Sequence, residues 1–202
     1  MAPTDVQTTR PASPRERILE TAYDLFSRRG TRAVGVDTII AESGVAKMTL
    51  YRHFASKDEL VLAFMDAREQ RWTHDWVEAE SARRATDPAA RLLAIFDLFD
   101  EWFRRDDFEG CSFINVLLEI DDRNHMLNVA AAQHLATIRA FLRSLAVAAG
   151  VNEADADTFA SQWHILMKGS IVAASEGDVE AARRAQAVAR LLLADYGIGN
   201  GS

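Results

Sequence analysis

Between Val36 and Lys57 the chain reads VDTIIAESGVAKMTLYRHFASK, in which cations, hydroxyls and an aromatic ring follow a glycine. Lys and Arg neutralise phosphate, Thr and Tyr hydroxyls hydrogen-bond it, and Met or Thr can touch a thymine methyl. Two short helices meeting at Gly44 would deploy these groups on DNA. The first, Val36 to Ser43, would brace the pair on the backbone, and the second, about Lys47 to Phe54, would lie in the major groove. Gly44 suits the left-handed residue that ends the first helix. Val45 and Leu50 are expected to pack the helices together, with Phe54 in the core, which leaves Lys47, Met48, Thr49, Tyr51, Arg52 and His53 outward. Arg28, Arg29 and Arg32 are candidates for flanking phosphate contact or plain surface charge. His53 has no second metal ligand at i+3 or i+4.

The run Gly44-Val45-Ala46-Lys47-Met48-Thr49-Leu50-Tyr51-Arg52-His53-Phe54, followed by Ser56-Lys57-Asp58-Glu59-Leu60, resembles the TetR-type family of transcriptional repressors, closely over residues 14–60. The resemblance implies a three-helix DNA-binding domain joined by a long fourth helix to an all-helical ligand-binding and dimerisation domain. It places DNA contacts on Lys47, Thr49, Tyr51, His53 and Lys57, and also on Thr38, Met48 and Arg52. Three positions depart from the family pattern: Gly35 stands where Thr often opens the bracing helix, Ile40 where a small Ala is usual, and Ala46 where Ser often caps the recognition helix. The last departure removes a side-chain cap.

The elements that must position this surface are helical. Ser13-Pro14-Arg15-Glu16 reads as a capping box with proline at the first helical position, and Ile18, Ala22, Leu25 and Phe26 form one apolar face that ends at Gly30, expected to be a left-handed stop. Ser56-Lys57-Asp58-Glu59 is a second capping box, opening a helix to about Arg84 that reads as the rod between two domains. Asp87-Pro88 starts a helix to about Arg105. Phe113 to Leu118 is apolar without a decisive period, and a short helix is the expectation. Further helices are expected over about 124–149, from Asn152 and Asp155 to Ser175, and from Asp178 to about Tyr196. The fold class is therefore all-α. The expected division is a flexible N-terminus at 1–12, a DNA-binding domain at 13–56, a helical ligand-binding and dimerisation domain at 57–198, and a flexible tail at 199–202.

Charge distribution agrees with a nucleic-acid partner at one end only. The net charge of the 202 residues is −7, yet Arg10 to Lys57 carries nine Lys or Arg against five Asp or Glu. A basic head on an acidic body would bind a polyanion through the head. One cysteine excludes a disulfide framework and a thiolate metal cluster. No apolar stretch is long enough for a membrane span and the first eleven residues hold no apolar signal-like run, so cytoplasm is the expected compartment.

In the C-terminal part, Phe159, Trp163 and Met167 form a stripe with His164 beside it, and Phe99, Trp102 and Phe103 make a second aromatic surface. Gly110-Cys111-Ser112-Phe113-Ile114-Asn115 resembles a Gly-Cys-x-Phe-x-Asn segment of one branch of the family. The candidate ligand pocket is Phe99, Trp102, Phe103, Phe113, Asn115, His134, Trp163, His164 and Met167, suited to a small, largely apolar effector, with core packing as the alternative for each. Small residues at helical spacing in the last two helices suggest a four-helix dimer interface of Leu166, Gly169, Ala173, Ala181, Ala185, Val188 and Leu192, with burial inside one subunit as the alternative. No nucleophile elbow, phosphate loop, dinucleotide glycine pattern or paired-His metal motif occurs, so no enzyme, metal or cofactor is expected. The expected function is a ligand-responsive repressor that binds a palindromic operator as a homodimer and is released by its effector. A ligand-blind repressor or an activator is the alternative.

Overall fold

The computed structural model describes residues 11–199. But for Pro11, Ala12 and Gly199, the segments expected to be flexible at the two ends lie outside the described residues. Among the described residues every regular element is helical. The chain divides into two compact units, one ending at Phe64 and the other beginning at Met65.

The first unit holds α1 (Pro14–Arg29), α2 (Val36–Ser43), α3 (Lys47–His53) and the first turns of α4 (Lys57–Arg68). The capping box at Ser13 is complete: its hydroxyl accepts from the Glu16 amide, and the Glu16 carboxylate accepts from the Ser13 amide at 2.7 Å. Ile18, Ala22, Leu25 and Phe26 are all buried. Gly30 ends the helix at a positive φ of 79, which favours glycine as expected, although its ψ of 159 lies outside the left-handed helical well. At Ser56 the cap differs in one detail, since Glu59 reaches past the Ser56 amide to that of Ala55. Leu60, Val61 and Phe64 of α4 are buried, and the Phe64 ring meets Tyr23 and Phe26 edge-on at 5.5 and 5.4 Å. The compact division therefore falls within α4, beyond the start of that helix at Lys57.

The second unit begins in the helical path that continues from α4 to Arg84. Glu69 to Glu78 widens to π-helical hydrogen bonding, and α5 (Ala79–Arg84) resumes the α-helical register. Both junction residues, Arg68 and Ala79, keep right-handed helical dihedrals, so the axis is not broken. α6 (Pro88–Phe103) starts where the Asp87 carboxylate accepts from the Ala90 amide at 2.8 Å. It packs against α5, α8 (Met126–Ala148), α9 (Ala156–Ser175) and α10 (Ala181–Asp195). The ambiguous apolar run is a helix, α7 (Ser112–Glu119), packed on α8. His125, not Asn124, caps α8, its ring nitrogen accepting from the Leu127 amide. Leu92, Ile95, Phe96 and Phe99 of α6 and Phe159 and Trp163 of α9 are nearly inaccessible and anchor the core.

Candidate nucleic-acid interface and C-terminal site

The pair α2 and α3 turns at Gly44, whose left-handed dihedrals (φ 65, ψ 28) let its amide reach the Ile40 carbonyl at 3.2 Å. A side chain there would meet no neighbouring atom, so glycine answers to the backbone alone. Ile39, Val45, Leu50 and Phe54 are buried beneath the turn. With the Leu50 side directed inward, the helical period turns Lys47, Met48, Tyr51 and Arg52 outward together. Met48 is 81% exposed and Tyr51 41%, although both are residue types that usually hide. Met48, Thr49, Tyr51 and Arg52 line a shallow depression of about 340 Å³. Thr38, His53 and Lys57 are half-buried at the edges of this face.

The electrostatics of the face are open to an anion. The Lys47 ammonium lies 3.4 Å from Asp37, but both side chains are well exposed, and such a pair holds its cation weakly. Arg28, Arg29 and Arg32 are exposed near the end of α1, whereas the Arg15 guanidinium lies over the Phe54 ring at 5.1 Å and props the end of α3. Neither α2 nor α3 receives a side-chain cap, because Gly35 and Ala46 have none to offer. Replacing Ala46 by Ser is expected to stabilise the first unit by about 1 kcal/mol. A raised urea midpoint with operator affinity equal or better is the expected result, and an unchanged midpoint would show that the first-turn amides of α3 gain nothing from a cap.

A cation-bearing helix seated through Leu50 beside a bracing helix is what a major-groove reader requires, and comparison with known proteins decides the family. The family described as bacterial regulatory proteins, tetR family, matches residues 18–64, and the tetracyclin repressor-like C-terminal domain matches residues 88–189, about half of the chain. The chain belongs to the TetR family. A TetR-family transcriptional regulator from Streptomyces coelicolor, SCO4454, superposes with a TM-score of 0.83 at 28% identity, over 93% of this chain and 91% of that one. A TetR-type regulator from Streptomyces avermitilis gives 0.72 at 28% identity, over 93% of this chain and all of that one. The transcriptional repressor Rv3405c of Mycobacterium tuberculosis is 37% identical over 101 residues, covering 43% of this chain and 54% of that protein. The activator FasR of Mycolicibacterium smegmatis is 36% identical over 94 residues, 46% of this chain and 41% of that protein. The match thus spans about half the length of these curated relatives or less. All are transcription regulators, which agrees with the reading against an enzyme.

Within this TetR-family chain the expected pocket residues have mixed fates. Trp72 and Trp76 of the π-helical stretch join Phe99, Trp102 and Phe103 of α6 in one cluster, with Trp72 5.8 Å from both Phe99 and Trp102. Phe96 links this cluster to Trp163, which stacks on Phe159. Phe113, Trp163, His164 and Met167 are likewise buried. Asn115 is a correction: it is exposed, because α7 buries Ser112, Phe113 and Val116 and two positions beyond Phe113 is the opposite side of a helix. None of the nine expected residues lines either of the two C-terminal cavities, of about 530 and 580 Å³, described here. The indole N–H groups of Trp72 and Trp163, the Thr73 hydroxyl and His164 Nδ1 are buried without hydrogen-bond partners among the described residues.

His134 is held by groups that spacing did not reveal. Its Nδ1 hydrogen-bonds Glu69, its ring stacks on Phe113 at 4.9 Å, and Glu69 also faces His74, which in turn meets Glu78 at 3.1 Å. The Glu78 carboxylate raises the His74 pKa, aided by Glu69. No group of three or more metal-type ligands with metal-binding geometry occurs among the described residues. Burial pushes the Cys111 thiol upward, offset in part by the Ile114 and Phe113 backbone. His164 is the reverse case, since burial, then Lys168 and Arg139, lower it to about 3. The unfolded chain therefore takes up a proton at position 164 as pH falls below about 6.5, while the folded chain does not. Stability should fall by up to about 1.4 kcal/mol per pH unit between about 6.5 and 3 from this residue. His164→Asn should flatten that slope in urea titrations at pH 7, 6 and 5, and an identical slope would refute the assignment.

The expected dimer face also needs correction. Ala181 and Ala185 are buried in their own subunit, in a stripe with Ala189, because α10 packs against α6 and α9. Leu166, Ala173 and Leu192 are half-buried, whereas Gly169 and Val188 are exposed. The apolar residues turned outward are Ile165 (62% exposed) and Val172 on α9 and Val188 and Leu191 (71%) on α10. No helix among the described residues is long and apolar enough to cross a membrane.

Proposed function

We propose that this chain is a ligand-responsive transcriptional repressor that binds a palindromic operator as a homodimer and is released by a small, largely apolar effector. The observation that carries the reading is the outward face of α3, where Lys47, Met48, Tyr51 and Arg52 stand exposed on a helix seated by Leu50 and Val45. Thr38, Thr49, His53 and Lys57 complete the proposed contact set at its margins. Dimerisation is supported by Ile165, Val172, Val188 and Leu191, whose exposed apolar side chains on neighbouring helices invite a second copy. Effector binding is supported by the aromatic core with its unpartnered donors, which an apolar molecule carrying hydrogen-bond acceptors could satisfy. The likeness to Rv3405c favours repression, and the likeness to FasR keeps activation as the second reading.

Footprinting on DNA upstream of its own gene tests the arrangement. Two protected half-sites centred about 34 to 36 Å apart are expected, the spacing of one helical turn. Leu191→Asp should give monomers by light scattering and leave at most weak protection. A single protected half-site, or an unaltered dimer in Leu191→Asp, would contradict the proposed assembly. Effector and operator must weaken each other's binding by one common factor.

A further inference from the structure

Asp37 is an acid on a face otherwise built to meet an anion. It stands in the first turn of α2 with its side chain 87% exposed, and its Oδ1 lies 3.4 Å from Nζ of Lys47, the first residue of α3. The Lys47 side chain is 64% exposed, and among the described residues neither side chain has another hydrogen-bond or ion-pair partner. So exposed a pair contributes little to the fold, because water screens it and two mobile side chains must be held in one geometry. Toward the DNA backbone Asp37 is worse than neutral, since a carboxylate near phosphate lowers affinity whatever the sequence. Stabilising the first turn of α2 favours an acid there, but not one that reaches across to α3. Lys47 and Asp37 thus present a donor and an acceptor side by side at the start of α3, the part of a recognition helix that meets base edges.

A donor and an acceptor at that spacing have a full counterpart on one base pair. The major-groove edge of G·C carries two adjacent acceptors, guanine N7 and O6, followed by one donor, the cytosine N4 amino group. O6 and N4 are hydrogen-bonded to each other, about 2.9 Å apart, which is close to the 3.4 Å between Nζ and Oδ1. We infer that Asp37 and Lys47 together read one G·C pair for each copy of the chain on DNA, the Lys47 ammonium donating to guanine N7 and O6 and the Asp37 carboxylate accepting from cytosine N4. The same pose on A·T sets the ammonium against the adenine amino group and the carboxylate against thymine O4, a mismatch at both ends. Asp37 gives up phosphate attraction and gains base selectivity. The assignment extends the contact set to α2, and it rests on the reading of the α3 face as the one that meets DNA.

Selection of bound duplexes from a random-sequence pool by the full chain, followed by sequencing, tests this without a known operator. Wild type is expected to enrich a motif in which one position is G·C, and Asp37→Asn the same motif with that position relaxed toward A·T and the others kept. Two duplexes of the selected motif that differ only by G·C or A·T at that position should then be distinguished about tenfold by wild type and about twofold or less by Asp37→Asn. Asp37→Asn should also bind an unselected duplex more tightly than wild type does, because a repelling charge is gone. A lower melting temperature with equal weakening on every duplex would assign Asp37 to the stability of α2 alone and overturn the proposal. So would an identical motif from the two proteins, or a change at a position that wild type does not fill with G·C. In those cases the reading of α3 still stands, whereas a pool from which wild type enriches nothing would overturn that reading and this one with it.

Discussion

Leu50→Ala is expected to remove operator binding and most of the stability of the first unit together. Leu50 is fully buried, and it is the residue by which α3 is seated against α1 and α2. Truncating a buried leucine costs about 2–5 kcal/mol through lost transfer energy and the cavity left behind. That is a large part of the stability of a small unit, and α3 has no side-chain cap to hold it when its seat is gone. The measurement is thermal unfolding followed by circular dichroism beside operator titration. An early transition with lost binding is expected, and an unchanged transition would mean that α3 does not depend on this contact.

Replacing Lys47 and Tyr51 by Ala should produce the opposite signature: about a hundredfold or greater loss of operator affinity with unfolding unchanged. Both side chains are exposed, and among the described residues the Lys47 ammonium pairs with Asp37 at 3.4 Å. Hydrogen bonds to charged groups contribute about 1.5–3 kcal/mol each, and tenfold in affinity is about 1.4 kcal/mol. Lys47→Ala alone should also reduce the dependence of log affinity on log salt by about one unit for each protomer on the DNA. Wild-type affinity in the double variant would remove these residues from the contact set.

Local chemistry was readable at several positions where the backbone or a side chain acts on near neighbours. The Ser13–Glu16 box, the Asp87 cap and the left-handed Gly44 each depend on neighbours within four positions, and the structure reproduces them. The split between buried Leu50 and outward Lys47, Met48, Tyr51 and Arg52 follows from one helical period and was equally legible. Direction was lost where two faces of a helix look alike in composition. Ala181 and Ala185 could serve an internal or an intermolecular seam, and only the packing of α10 on α6 and α9 shows that they serve the first. Asn115 fell to the same ambiguity in the short α7. The π-helical stretch carries no simple residue signature, yet its shifted register sets Glu69 against His134 and Trp72 beside Phe99, groupings that 3.6-residue spacing does not announce. Lys168 stands one turn from His164 on α9, but Arg139 reaches it from α8, a grouping that no reading along the chain would have joined.

The central claim is that the outward face of α3 reads a particular DNA sequence. Its most direct test is titration of the purified chain against labelled DNA from upstream of its own gene, at several salt concentrations, beside an unrelated duplex of equal length. Binding about a thousandfold or more tighter to the first duplex, with an excess that persists as salt rises, is the predicted result. Equal, steeply salt-dependent binding to both would contradict it, leaving a basic head that attracts phosphate without reading sequence.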